Sequence, residues 1–284
     1  MKIITSVKEM QEVADELRCG GKRIGFVPTM GYLHEGHLSL VDIARRHCDV
    51  VVVSIYVNPT QFGRGEDFSR YPRDLTRDRG LTEQKGVDIL FVPSDSEMYL
   101  PGHSTFIEVE GISHVLEGEI RPGHFKGVAT VVTKLFNIVK PHVAVFGQKD
   151  AQQAFIIKRM VNDLNFGIEV IIGPIVRERD GLAMSSRNVY LSVSERDEAT
   201  ILYQSLMLAG SLIKGGESNL QKIESEMLKL IGSRSTGKVD YITFVNPDTF
   251  QRVETTEGLK EVLCLIAVRF GSTRLIDNMN FYTG

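Results

Sequence analysis

The sequence predicts an α/β fold, a doubly wound parallel sheet followed by a smaller C-terminal α+β domain. Three observations carry this. Apolar strand-like runs alternate with helical patterns through residues 1–176. Val50-Val51-Val52-Val53-Ser54-Ile55 is almost continuously β-branched, as suits a strand covered on both faces. After Pro174 the alternation gives way to helices and then to clustered strand-like runs.

Taken in order, strands are expected over residues 24–27, 50–57, 89–92, 105–109, 143–146 and 168–172. Helices are expected near residues 6–17, 38–47, 74–84, 128–140 and 151–164; in the second of these Leu38, Leu40, Val41 and Ala44 recur at helical spacing. The charged, turn-rich stretch Arg177-Glu178-Arg179-Asp180-Gly181 sets a boundary near residue 176. It separates a Rossmann-like domain over 1–176 from an α+β domain over 177–284. In the latter, a helix over 195–213 opened by a Ser194 cap and a second helical pattern precede three runs, 241–245, 262–270 and 274–277. Those runs read as a small antiparallel sheet.

Composition narrows the function classes. With 33 basic and 36 acidic residues among 284, the net charge is −3, and no global basic surface points to nucleic acid. Cys19, Cys48 and Cys264 lie too far apart in sequence for a Cys-x-x-Cys metal site and suggest reduced thiols rather than a disulfide framework. No apolar run reaches the ~20 residues a membrane helix needs, and residues 1–6 lack a signal-peptide core, so a cytoplasmic protein is expected.

In doubly wound sheets, ligands bind beyond the carboxyl ends of the strands, where the crossover direction reverses. Three polar clusters fall there. His34-Glu35-Gly36-His37 follows the strand Ile24-Val27 across the turn Met30-Gly31-Tyr32-Leu33. On that reading two imidazoles meet a helix start, whose N–H groups and dipole favour an anion such as a polyphosphate, and Gly36 lets it approach the backbone. The alternatives are a surface turn, or a His-x-x-His metal pair that lacks the further ligands zinc requires. Asn58-Pro59-Thr60-Gln61-Phe62 follows the second strand; Gln61 is neutral and suits hydroxyls or a carboxylate, unless it is merely solvated. Gly147-Gln148-Lys149-Asp150 supplies a turn, a compact cation for a developing pyrophosphate and a carboxylate at a helix start; the plainer reading is a solvated Lys149 beside a capping Asp150. In the helix beyond, either Gln152 or Gln153 is expected to turn inward as a donor.

Outside those ends, Met184-Ser185-Ser186-Arg187 joins two hydroxyls and a guanidinium in a segment that would either close over phosphates or serve as a polar linker. Tyr71 and Asp78 read as parts of a charged surface helix. Residues Arg121 to Gly127 read as a cationic loop that either lids a pocket or turns the chain.

Four separated segments, Phe26 to His37, Val57 to Phe62, Gly147 to Gln153 and Met184 to Asn188, closely resemble the pantothenate synthetase (pantoate–β-alanine ligase) family, in family order and with family-like intervals. The histidine motif alone would indicate only the wider His-x-Gly-His nucleotidyltransferase superfamily. The resemblance implies an ATP-dependent ligase: pantoate carboxylate attacks the α-phosphate of ATP, pyrophosphate leaves, and the amine of β-alanine displaces AMP from pantoyl adenylate. It places Met30, Gly31, Tyr32, Leu33, His34, Glu35, Gly36 and His37 along ATP, with His34 and His37 on the phosphates as electrostatic stabilisers. It further implies that Gly147, Gln148, Lys149 and Asp150 bind ribose and phosphates, and that Val176, Met184, Ser185, Ser186 and Arg187 contact the nucleotide. By the same resemblance, Lys149, Ser185, Ser186 and Arg187 act on the reacting phosphates, Gln61 and Gln153 hold pantoate, and Gln61 also lies near β-alanine. The C-terminal domain would act as a lid.

Some relatives carry adjacent acids where this chain has Arg77-Asp78, so no Mg²⁺-ligand role is carried to Asp78; Mg²⁺ would be held by phosphates and water, with no metal site in the protein. The family is generally homodimeric, and the second and third strands with their connections are where a partner copy would be sought. Two competing readings stand beside the ligase. One is a related nucleotidyltransferase acting on a phosphate ester; the other is a non-catalytic nucleotide-binding module.

Overall fold

The computed structural model describes residues 1–233 and 237–283. Two compact units emerge, one of residues 1–148 and 152–174, the other of residues 149–151 and 175–284.

The first unit is an alternation of strands and helices: β1 (Lys2–Ile4), α1 (Val7–Cys19), β2 (Ile24–Thr29), α2 (Glu35–His47), β3 (Val50–Ile55), α3 (Leu75–Gln84) and β4 (Ile89–Phe91). Short α4 (Asp95–Met98) and α5 (Glu117–Ile120) lead to α6 (His124–Val139), β5 (Val143–Gly147), α7 (Ala151–Asp163) and β6 (Glu169–Gly173). All six strands are parallel, in the order β1-β4-β3-β2-β5-β6. Alternate side chains feed two cores. Phe26, Val52, Phe91 and Ala144 pack with α1, α6 and α7, whereas Val27, Val51, Val53, Leu90 and Val143 pack with Leu40, Val41, Ile43 and Ala44 of α2.

The winding reverses between β2 and β5. Those two strands pair only at Gly25↔Val143 and Phe26↔Ala144, while β2 pairs β3 from Ile24 to Thr29. Pro28 lies just beyond the last β2–β5 pair and has no N–H to give a ladder. Since β3, β2 and β5 are parallel neighbours, the segments that follow them leave the same edge of the sheet side by side.

The second unit holds α8 (Val193–Glu198), α9 (Ile201–Lys214), α10 (Leu220–Gly232) and an antiparallel sheet β7-β8-β9 (Gly237–Val245, Glu261–Phe270, Thr273–Tyr282). Its core joins Leu202, Leu206, Ile223 and Met227 to Phe244, Ile266 and Phe270.

Two local expectations are corrected, and one strand was not anticipated. Residues 105–109 form no strand: the Ile107 N–H bonds the Thr130 hydroxyl at 2.9 Å, so the apolar alternation of Ile107 and Val109 packs an irregular segment onto α6. The helix expected over 195–213 is two helices, capped by Ser192 in a capping box with Glu195; the Ser194 hydroxyl instead meets that of Ser192. β1 escaped notice because only Ile4 of its three residues is buried.

Candidate active site

The histidine motif forms the start of α2. His34 is the N-cap, its Nδ1 accepting from the Gly36 N–H at 3.1 Å, and His37 Nδ1 accepts from the His34 N–H at 3.3 Å. The rings lie 4.1 Å apart, centroid to centroid. With both Nδ1 atoms acting as acceptors, the proton of each neutral imidazole belongs on Nε2, which is thereby a donor. The helix start therefore does not offer a bare row of N–H groups; the histidines take up part of it and present their own donors.

The turn before it is held by an unforeseen residue. Asp78, in the first turn of α3 and 1% exposed, accepts the Tyr32 N–H at 2.6 Å and the Leu33 N–H at 2.8 Å. Gly31 and Tyr32 both have positive φ (82° and 51°), and a Cβ on Gly31 would lie 2.9 Å from Ile55 Cγ2. The surface-helix reading of Asp78 and Tyr71 is thus overturned: both are buried. Burial raises the Asp78 pKa against the opposing pull of the two N–H bonds and of Arg77.

Gln61 is buried beside this turn. It donates from Nε2 to Met30 Sδ at 3.1 Å and accepts at Oε1 from Asn58 Nδ2 at 3.2 Å. Asn58 also donates to the Gly127 carbonyl at 3.2 Å and accepts from Tyr99 at 2.9 Å. A Cβ on Gly127 would sit 2.4 Å from Thr60 O, so glycine there lets the Pro59–Gln61 3-10 turn lie against α6. The Gln61 carbonyl accepts from His124 Nδ1 at 2.8 Å; His124 Nε2 faces Arg121 Nη1 at 3.0 Å, and Arg121 grips Glu66 with two bonds of 3.0 and 2.7 Å. Desolvation, reinforced by the Arg121 charge, pushes His124 from 6.5 down to about 4. Residues 121–127 are therefore neither lid nor simple turn: from His124 onward they are the first turn of α6.

In α7 the inward-turning residue is Gln152, which donates to the Ile112 and Val115 carbonyls at 2.8 Å each and accepts from Glu117 N–H. Gln153 is half-buried. Gly147 ends β5, and Gln148–Asp150 make a 3-10 turn into α7.

In the second unit, Lys149 Nζ is 3.8 Å from Asp150, and its carbonyl accepts from Asn278 Nδ2 at 3.0 Å. Val176 and Met184 face each other in a hairpin, the Met184 N–H donating to Val176 O at 3.0 Å, with Arg177 bridged to Ala183. Beyond it Ser185 caps a 3-10 turn over Ser186–Tyr190 and accepts the Arg187 N–H at 3.3 Å. Asn188 ties that turn to Glu178 at 2.9 Å and to Ala183 O at 3.2 Å, so Ser185, Ser186 and Arg187 sit on a built element rather than a linker.

The supporting roles of Asp78, His124, Arg121, Glu66, Asn58 and the Arg177–Asp277 pair are what sequence reasoning missed. The contacts that define several of those roles span long stretches of sequence, 45 residues for Asp78 with Leu33 and 100 for Arg177 with Asp277.

Among known proteins, the chain matches the family model described as pantoate-beta-alanine ligase over residues 2–280. It is 56% identical over 279 residues to the pantothenate synthetase of Acetivibrio thermocellus, covering 98% of this chain and 99% of that one. The Thermotoga petrophila pantothenate synthetase is likewise 56% identical, over 278 residues and with the same coverage of 98% and 99%. Among solved structures, pantothenate synthetase from Thermus thermophilus superposes with a TM-score of 0.93 at 44% identity, covering 98% of this chain and 99% of that chain. A pantoate-beta-alanine ligase from Francisella tularensis, complexed with beta-gamma ATP and beta-alanine, gives a TM-score of 0.81 at 36% identity, covering 100% and 98%. The chain belongs to the pantoate–β-alanine ligase family.

Proposed function

We propose that the chain condenses pantoate with β-alanine at the expense of ATP, through an enzyme-held pantoyl adenylate, using the residues described above. A carboxylate is a poor acyl donor; joining its oxygen to the α-phosphate of ATP, with loss of pyrophosphate, makes the carbonyl carbon open to the β-alanine amine and AMP the leaving group. The observation that supports this best is the histidine pair at the sheet's switch point, each ring with its Nδ1 accepting a main-chain N–H, an arrangement that assigns the proton of a neutral ring to Nε2. His34 and His37 donate to phosphate oxygens and stabilise charge that develops on them, while Met30 to Glu35 and Gly36 line the nucleotide. Gly147, Gln148 and Asp150 serve ribose and phosphate, Val176 and Met184 contact the nucleotide, and Lys149, Ser185, Ser186 and Arg187 neutralise the phosphates. Gln61 and Gln153 hold pantoate. On this reading the first unit binds nucleotide and pantoate and the second acts as lid.

Mg²⁺ fits this reading as a partner of the nucleotide. Asp78, the acid beside the Met30–Leu33 turn, spends its carboxylate on two N–H groups. The ion would be carried by phosphate oxygens and water and would neutralise the polyphosphate charge. We also propose a homodimer in the cytoplasm; no helix among the described residues is long and apolar enough to cross a membrane.

The test is isotopic. Purified protein given ATP, Mg²⁺, β-alanine and pantoate labelled with ¹⁸O in its carboxylate should release AMP carrying one labelled oxygen. Label retained wholly in pantothenate sinks the adenylate route. AMP release that ignores pantoate and β-alanine would favour a nucleotidyltransferase, and ATP binding without turnover a silent module.

A further inference from the structure

The second unit contains a buried ion pair that touches no substrate in the reading above. Asp277 of β9 is 2% exposed, and its carboxylate takes Arg177 Nη1 at 2.6 Å, Nη2 at 3.0 Å and the Asn278 N–H at 2.7 Å. Arg177 is pinned further: Nη1 also donates to Gly181 O at 3.0 Å, Nη2 reaches Asn278 O at 3.4 Å, and the guanidinium lies 4.5 Å over the Tyr203 ring. Buried pairs of this kind are weak devices for stability, because desolvating both charges costs about what their attraction returns. They fix geometry well, since a planar fork on a carboxylate admits one arrangement.

What this pair joins is specific. Arg177 belongs to the hairpin that carries Val176 and Met184 and runs into Ser185–Arg187. Asn278, the neighbour of Asp277 on β9, gives its side-chain N–H to the carbonyl of Lys149. One point on β9 therefore holds the main chain of the lysine and the root of the Ser-Ser-Arg segment, two stretches far apart in sequence.

We propose that Asn278, together with the Arg177–Asp277 pair, is a positioning group for the adenylation step, setting Lys149 Nζ against the phosphates in register with Ser185–Arg187. The inference rests on the reading that Lys149 contacts those phosphates. Misplacing a reacting or stabilising group by an ångström can cost up to ~10²-fold in rate, so such an anchor affects turnover more than substrate affinity. Ordinary packing would affect stability alone.

The experiment is a double-mutant cycle on full-length protein, reading pantoate-dependent pyrophosphate release. Asn278→Ala should lower kcat by roughly tenfold or more with the pantoate KM unchanged. In a Lys149→Ala background it should change the rate less than about twofold, because the group it positions is gone. Arg177→Lys keeps the charge but loses the fork; it is a second variant, expected to slow turnover and to be masked in an Arg187→Ala background, because Arg177 roots the segment that carries Arg187. If Lys149→Ala slows the reaction but the Asn278 effect multiplies with it, or if Asn278→Ala and Arg177→Lys both run at the wild-type rate, the positioning role is wrong and the Lys149 assignment survives. If Lys149→Ala runs at the wild-type rate, the Lys149 reading itself fails and takes the inference with it.

Discussion

His124 gives the chain an acid-sensitive support directly beneath Gln61. Its ring must be neutral to do its work, with Nδ1–H given to the Gln61 carbonyl and bare Nε2 turned to Arg121. Burial, with the Arg121 charge added, holds its pKa at about 4 rather than 6.5. The folded state thus binds the proton less readily than the unfolded chain, and stability from this group is complete above pH 6.5 and lost as pH falls towards 4. At 1.36 kcal/mol for each tenfold in proton affinity, the full effect is about 3 kcal/mol, of which about 2.5 kcal/mol is gone by pH 4.5. Burial works to raise Glu66, but Arg121 holds its carboxyl below the usual range, so its contribution begins to fall only near pH 4.5, the lower end of the interval, and is shared by wild type and variant. Burial also lowers His142, as it does His124, so the comparison must be between variants. His124→Asn keeps a donor near the Nδ1 position and removes the titration. Urea unfolding at pH 7 and pH 4.5 should show wild type losing about 2.5 kcal/mol more than the variant across that interval. Equal losses would refute the assignment of a neutral, buried His124.

Three further outcomes follow from the site. Asp78→Ala strands the Tyr32 and Leu33 N–H groups, one of them fully buried, and should cost about 2–4 kcal/mol in unfolding experiments while raising the ATP KM more than the pantoate KM. Gly127→Ala forces a Cβ to within 2.6 Å of Gln61 Cα; it should destabilise by about 1–3 kcal/mol and weaken pantoate binding in steady-state kinetics. Gln61→Ala should weaken pantoate binding too, at its own cost in stability, since it removes a buried side chain that pairs Asn58. Lys149→Ala and His37→Ala should each slow pantoate-dependent pyrophosphate release by roughly 10²–10³-fold, and near-normal rates in both would return them to structural roles.

Much of the architecture was legible because burial writes periodicity into sequence. The β-branched run at Val50–Ile55 became a strand covered on both faces, and Leu38, Leu40, Val41 and Ala44 became the inner face of α2. The runs near 241, 262 and 274 became the antiparallel sheet. Legibility failed where periodicity came from another source. Ile107 and Val109 alternate because they pack beside a hydroxyl-bonded segment, and Ser194 resembles a cap two residues from the real one, Ser192. In the candidate site, the motif residues were visible as residue types that suit phosphate. The groups that hold them were not: Asp78 and His124 look like surface charge until the fold buries them against main-chain partners 46 and 63 residues away.

On the proposed reading, the capping arrangement of His34 and His37 makes helix geometry and ligand chemistry share one ring. One nitrogen fastens the chain and the other carries the hydrogen of the neutral imidazole, so neither job can be altered alone. Asparagine can imitate the near nitrogen and glutamine the far one, but lysine or arginine, ordinary partners of phosphate, would supply charge and undo the fastening. Imidazole is therefore fixed at these two positions by geometry before any demand for proton transfer arises.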